Sequence, residues 1–218
     1  MNRVLKNKNL MLIFSHHALL AFGLYYYGFN IYWAIAIFFA SQMWAKFVGS
    51  DVMHYYFAHG KYKDNIKSYF YTFLTLCTAL GSPLSFSASH RQHHKYSDTE
   101  LDPHSPHVIG WLRVYFLDWE PQRINPRLIS DFARSKFQKR VHKHWFKIHL
   151  VIVAILALID PRIVCFILSP FVMYSFHNAS AINVLSHLDG SSKNVPLMRF
   201  FAWWSWNHGD HHNYKPSK

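Results

Sequence analysis

The sequence predicts an all-α membrane protein: four transmembrane helices in two hairpins, with a cytoplasmic helical cap that carries histidine boxes. Three observations predict it. Apolar runs recur with about the length a bilayer demands. Basic residues fall almost entirely on one side of those runs. Most of the 17 histidines gather in short clusters, and the clusters land on that same side.

The first run covers residues 9–27, "NLMLIFSHHALLAFGLYYY". Nineteen residues at the α-helical rise span about 28 Å, which matches a hydrocarbon core. No small-residue cleavage site follows, so the run reads as an anchor and not a removable signal. "GFN" turns the chain, and residues 31–49 return it to the starting side. Residues 66–88 are apolar but broken by Gly81 and Pro83, and read as embedded without spanning. Residues 145–159 go out and residues 163–182 come back, joined by Asp160-Pro161-Arg162. The outgoing arm is short, about 22 Å. Residues 50–144 and 183–218 form the cap of this single domain, 1–218, and "RLISDFARSKFQKRVHKHW" is expected to be interfacial helix.

Charge sets the orientation. Of the 23 Lys and Arg residues, all but Arg162 lie on one side of the four spans. That asymmetry is the positive-inside pattern, and it puts both termini and the histidine clusters in the cytoplasm. The net charge of +12 therefore needs no nucleic acid, and no groove-reading motif is present. Cys77 and Cys165 sit in apolar runs and read as small hydrophobes. The aromatic content of 18% suits an interface belt, for example Tyr25 to Tyr27 and Trp203, Trp204 and Trp206.

Four groups of polar residues then stand out: His54 and His59; His90, His93 and His94; Asn183 and His187; His208, His211 and His212. On a helix, positions i, i+3 and i+4 share one face, so each H-x-x-H-H box is expected to aim three imidazoles at one point. His54 and His59 are five apart, about 140° on an ideal α-helix, and converge only if that helix ends or bulges. Nine histidines exceed one ion's shell. Divided between two ions they supply four or five nitrogens each. Imidazole suits iron, zinc, copper and nickel alike. Asp51, Asp98, Glu100, Asp102, Asp189 and Asp210 lie near these histidines and are candidates to accept the second ring N–H. His104 is a further candidate for that outer layer. His16 and His17 fall mid-span, where interhelical hydrogen bonding is the favoured reading. His107, His142, His144 and His149 are expected to face the interface or headgroups.

The run "HRQHHKYSDTELDPHSP" with Gly110-Trp111, together with "NVLSH" and "HGDHH", resembles the membrane fatty acid desaturases of the delta-9 or acyl-CoA type, as a short variant. The resemblance implies two iron ions held by His54, His59, His90, His93, His94, His187, His208, His211 and His212, with Asn183 acting through a water. By their nearness to the histidines, Asp98, Asp102, His104 and Asp210 are expected to support the ligands, and the resemblance points to His177 and Ser180 as lining the substrate tunnel. The activity it implies is insertion of a cis double bond into an acyl chain carried on coenzyme A, a carrier protein or a lipid. O2 would be the co-substrate and the di-metal centre the catalyst, with no separate acid or base. Two electrons would come from a separate donor, a ferredoxin or a b-type cytochrome with its reductase. The chain departs from the family at Tyr55 and Gly60, where arginines are usual, and at Ser89 and Ser205, where acids are usual. It departs again at Gly209 for asparagine and at the small Ala179 and Ser180. Two alternatives share the histidines: a lipid hydroxylase on the same scaffold, and a non-enzymatic membrane metal binder.

Overall fold

The computed structural model describes residues 7–117 and 124–213, all helix and connection with no strand among them. Of the residues behind the expectation that both termini share one side, Arg3, Lys6, Lys215 and Lys218 lie outside the described residues.

Among the described residues, four helices are long and apolar enough to cross a membrane. The first, α1 (Lys8–Tyr27), starts where the Asn7 side chain accepts the N–H groups of Asn9 and Leu10. It ends at Gly28, whose φ of 85° is open to glycine at little cost. The second, α2 (Ile31–His59), is capped by Asn30 and is α-helical to Trp44. From Ala45 to His59 it is π-helical. The return span therefore does not stop near residue 49. It continues as one rod into the cap.

Next, α3 (Ile66–Thr75) is only 10 residues, about 15 Å, too short to cross a bilayer. A turn at residues 76–82 follows, and Ser82 and Ser85 form a reciprocal cap with Pro83 at the first helical position. This starts α4 (Pro83–Tyr96), which carries the central histidine box. Two short helices, α5 (Pro106–Ile109) and α6 (Trp111–Tyr115), cross the cap. A single 3-10 turn at Pro126–Ile129 then leads directly into α7 (Ser130–Arg134).

The third span, α8 (Lys136–Ile159), is capped by Ser135 and runs 24 residues, about 36 Å. The outgoing arm is thus longer than its apolar part suggests, because the basic stretch before it belongs to the same helix. The fourth span, α9 (Pro161–His187), contains a π-helical segment at Val164–Leu168. Two small helices close the described chain, α10 (Met198–Phe201) and α11 (His208–Asn213).

The core forms where α1, α8 and α9 meet the turn after α3. Leu12, Ile13, Leu76, Val141, Ile152, Val172 and Phe176 fill it. At Gly23, α1 touches α9 so closely that a Cβ would sit 2.6 Å from Cβ of Cys165. Two directed imidazole chains cross this layer. In one, His149 donates from Nδ1 to the Leu76 carbonyl at 2.6 Å, so its Nε2 accepts from His16 Nε2 at 2.9 Å. The His16 Nδ1 in turn accepts from the Ser169 hydroxyl at 2.9 Å. In the other, His17 bonds the Ile13 carbonyl and His177, and His177 bonds the Tyr115 hydroxyl. His16 and His17 therefore join helices, as the sequence suggests. His149 does not face headgroups: it is fully buried as the middle of a chain whose other groups would be left unpaired without it.

Candidate metal centre

Nine histidines from four segments converge, in two groups. His54, His59, His90, His94 and His211 form one, and His93, His187, His208 and His212 form the other. Within each group the ring nitrogens lie within 4.8 Å of one another. The boxes are divided, not focused on one point. In α4, His90 and His94 serve the first group and His93 the second. In α11, His208 and His212 serve the second and His211 the first. Helical geometry gives the reason. Positions i and i+4 are about 40° apart, while i+3 falls about 60° to the other side of i, so one box straddles two centres.

The pair His54 and His59 is brought together by the π-helix. Its i→i+5 hydrogen bonding sets residues five apart one above the other, where an α-helix would turn them away. Their Nε2 atoms are 3.2 Å apart, and His90 Nε2 is 2.9 Å from His59 Nε2. The first group continues through His94 and His211 at 3.2 Å. In the second, His93 and His208 each approach His212, at 3.2 and 3.0 Å, and His208 approaches His187 at 3.2 Å. Nitrogens each about 2.1 Å from one ion stand roughly 3.0 Å apart at a right angle. The donor sets, five imidazoles and four, therefore fit one first-row transition metal each.

The electrostatics agree with that use. Burial, followed by the neighbouring imidazoles, drives His90, His93 and His208 well below the usual histidine range. The same causes bring His94 to about 2 and His212 to about 3. These rings are neutral, with lone pairs free to ligate. Two carboxylates fix the second group. The His93 Nδ1 donates to Asp102 at 2.7 Å and the His187 Nδ1 donates to Asp98 at 2.9 Å, which leaves both Nε2 atoms directed inward. Asp98 has a φ of 59°. It is held there by its own N–H to Asp102 and by the Ser105 hydroxyl on its carboxylate. The "SDTELDPH" segment is thus a loop folded around two acids.

The other acids do different work. Asp210 exchanges hydrogen bonds with the Asn194 side chain, tying α11 to the preceding loop instead of orienting a histidine. Asp51 pairs with Lys46 and Asp189 with Lys193, and Glu100 is exposed. His104 packs its ring against His93, with centroids 4.2 Å apart, and its N–H bonds Asp102.

A cavity of ≈ 90 Å³ adjoins both groups. His54, His90, His104 and His208 line its histidine end, and Asn183 stands beside them. Along α2 it is bounded by Ala45 and Gly49, and along α9 by Ser175, Asn178, Ala179 and Ile182. His177 and Ser180 are not on its wall. They lie about 140–200° around α9 from Ser175, and His177 is held by His17 and Tyr115. A cleft on the first group is lined by His59, His94, Lys61 and Arg127.

Sequence reasoning missed Arg91, inside the central box. Its guanidinium donates to the carbonyls of Phe57, Ala58, Gly60 and Leu128 and to both oxygens of Asp131. It thereby fastens the C-terminal end of α2, with His59, to α4 and α7. The available signal was an arginine between two histidines with a lone acid forty residues on.

No protein-family model matches the chain. Among curated proteins, the icosanoyl-CoA 5-desaturase of Limnanthes douglasii is 27% identical over 233 residues, 96% of this chain and 63% of that one. The delta-9 acyl-lipid desaturase 2 of Arabidopsis thaliana is 23% identical over 224 residues, 94% of this chain and 70% of that one. The chain is similar to acyl-CoA and acyl-lipid desaturases over most of its length. The Delta(9)-fatty-acid desaturase fat-7 of Caenorhabditis elegans is 27% identical over 162 residues, covering 71% of this chain. The chain spans 63% of the length of the first of these proteins and 48% of the last. Its histidine groups draw on the C-terminal ends of two of the four long apolar helices, α2 and α9, and on α4 and α11.

Proposed function

We propose that the chain is an integral-membrane fatty acyl desaturase, and that its two histidine groups each hold one iron ion on the cytoplasmic side. The observation that carries this reading is the pair of imidazole groups, five and four, sharing a wall with one largely apolar cavity. Bound iron would supply the oxidising power by which O2, two electrons from a separate carrier and two protons from solvent remove two hydrogens from adjacent methylenes, with both oxygen atoms leaving as water.

The chain's own residues bind and orient. Gly49, Ala45, Ala179 and Ile182 offer an apolar bed for a methylene chain beside His54, His90 and His208. The protein walls exclude water from the reacting carbons. Asp98 and Asp102 keep His187 and His93 in the tautomer that presents Nε2. Asn183 stands one helical turn before His187 on the cavity wall, where its amide can hold a water against the second group.

Expression in an unsaturated-fatty-acid auxotroph, followed by gas chromatography of the lipids, tests the proposal. New double bonds, lost on His93→Ala, are expected. Hydroxy-acids would replace the reading with a hydroxylase. Zinc as the only metal, with no product under electron supply, would replace it with a metal binder.

A further inference from the structure

One surface stands apart from the centre and plays no part in it. The first three turns of α8 carry Lys136, Lys139, Arg140, Lys143 and Lys147, all exposed. At about 100° per residue, these five fall in one sector about 100° wide. The residues that α8 buries against the protein, Gln138, Val141, Trp145, His149 and Ile152, lie in the opposite sector. The stripe therefore faces directly away from the rest of the molecule.

Three features separate this stripe from an ordinary solvated face. Cations near a helix N-terminus oppose the macrodipole, and the first turn of α8 contains no acid to offset them. None of the five side chains has an ion pair or hydrogen bond with a described residue, whereas Lys46, Arg91, Arg162 and Lys193 all do. The sector also continues down the same helix as exposed apolar surface, through Leu150, Ala154 and Leu158. Cationic turns leading without a break into a lipid-facing apolar stripe describe a surface that meets a bilayer from headgroup to core.

We propose that this face of α8 binds the headgroups of anionic phospholipids in the leaflet beside the histidine centre. The phosphates neutralise the stripe and supply the negative charge that the start of α8 lacks. The lysine stems lie along the helix and reach the phosphates as snorkelling side chains do. The site is independent of metal and substrate.

The test uses the full chain in nanodiscs of phosphatidylcholine with a minority of phosphatidylglycerol. Lipid retained per chain after detergent extraction and repurification is measured by mass spectrometry at low and high salt. Phosphatidylglycerol is expected to be enriched over its share in the disc, and the enrichment to weaken with salt. A triple variant, Lys139→Gln, Arg140→Gln and Lys143→Gln, is expected to lower the preference on the order of a hundred-fold. A control variant that loses equal charge elsewhere, Lys63→Gln, Lys95→Gln and Lys193→Gln, is expected to keep it. Equal retention by wild type and the α8 variant would overturn the proposal and point to an acidic soluble protein as the occupant. Equal loss in both variants would overturn it in favour of net charge alone.

Discussion

Arg91 offers the sharpest test of how the centre is held. It is one side chain with six hydrogen bonds, four to carbonyls and two to Asp131. The pair is mostly buried, with side-chain exposures of 17% and 8%. Arg91→Ala removes the cation and leaves Asp131 with only main-chain donors such as the Tyr62 N–H. Breaking a buried pair in this way costs about 3–5 kcal/mol. At 2–4 °C per kcal/mol for a chain of this size, the melting temperature in detergent is expected to fall by about 10 °C. Arg91→Lys is expected to recover little, because one ammonium cannot serve the forked carboxylate and carbonyls two helices apart. The effect should also be local. His59, His90 and His94 stand beside the fastening, whereas the second group is braced by Asp98 and Asp102. Metal analysis of the variant is therefore expected to show loss from the first group before the second. Melting within about 1 °C of the wild type would refute the reasoning, since that shift corresponds to well under 1 kcal/mol. Equal loss of metal from both groups would refute the local part of it.

Asp102→Asn keeps the shape but weakens the bond that orients His93, and is expected to lower metal affinity of the second group by about 10–100-fold, measured by competition with a chelator. Gly49→Leu places a side chain where an added Cβ meets nothing within 4 Å, so the fold is expected to survive while the cavity shortens. Product analysis should then show a shift toward shorter chains, by about 10–200-fold for each methylene displaced. For the metal-free protein, His94 and His212 have folded pKa values near 2 and 3, below the unfolded value of 6.5. Between those limits the unfolded chain binds protons that the folded chain refuses. Stability is therefore expected to fall as pH drops below about 6.5, by about 1.4 kcal/mol per pH unit for each ring, seen in melting curves from neutral to acid pH.

Much of the architecture was legible because it rests on local pattern. A run of apolar residues long enough for a bilayer has few other fates. The histidine boxes were legible for the same reason: their spacing survives in any helix. The assignment of each imidazole was not. The sequence allows three rings in a box to meet at one point, and the structure sends His93 and His211 to different partners from their neighbours. That choice depends on where α4 and α11 stand between two centres, which no single helix encodes.

The sequence by itself determined that this chain has four apolar spans and nine clustered imidazoles, because periodicity and length act within one segment. Only the tertiary structure decided what those segments do together. A π-helical register, absent from any propensity, turned His54 and His59 to one side. The folding of "SDTELDPH" selected two carboxylates of six to hold histidines. His177 was drawn to His17 and Tyr115 and away from the cavity wall. The physical reason is the same in each case: a side chain's role is set by which distant groups come within about 3 Å of it, and the chain must be folded before that distance exists.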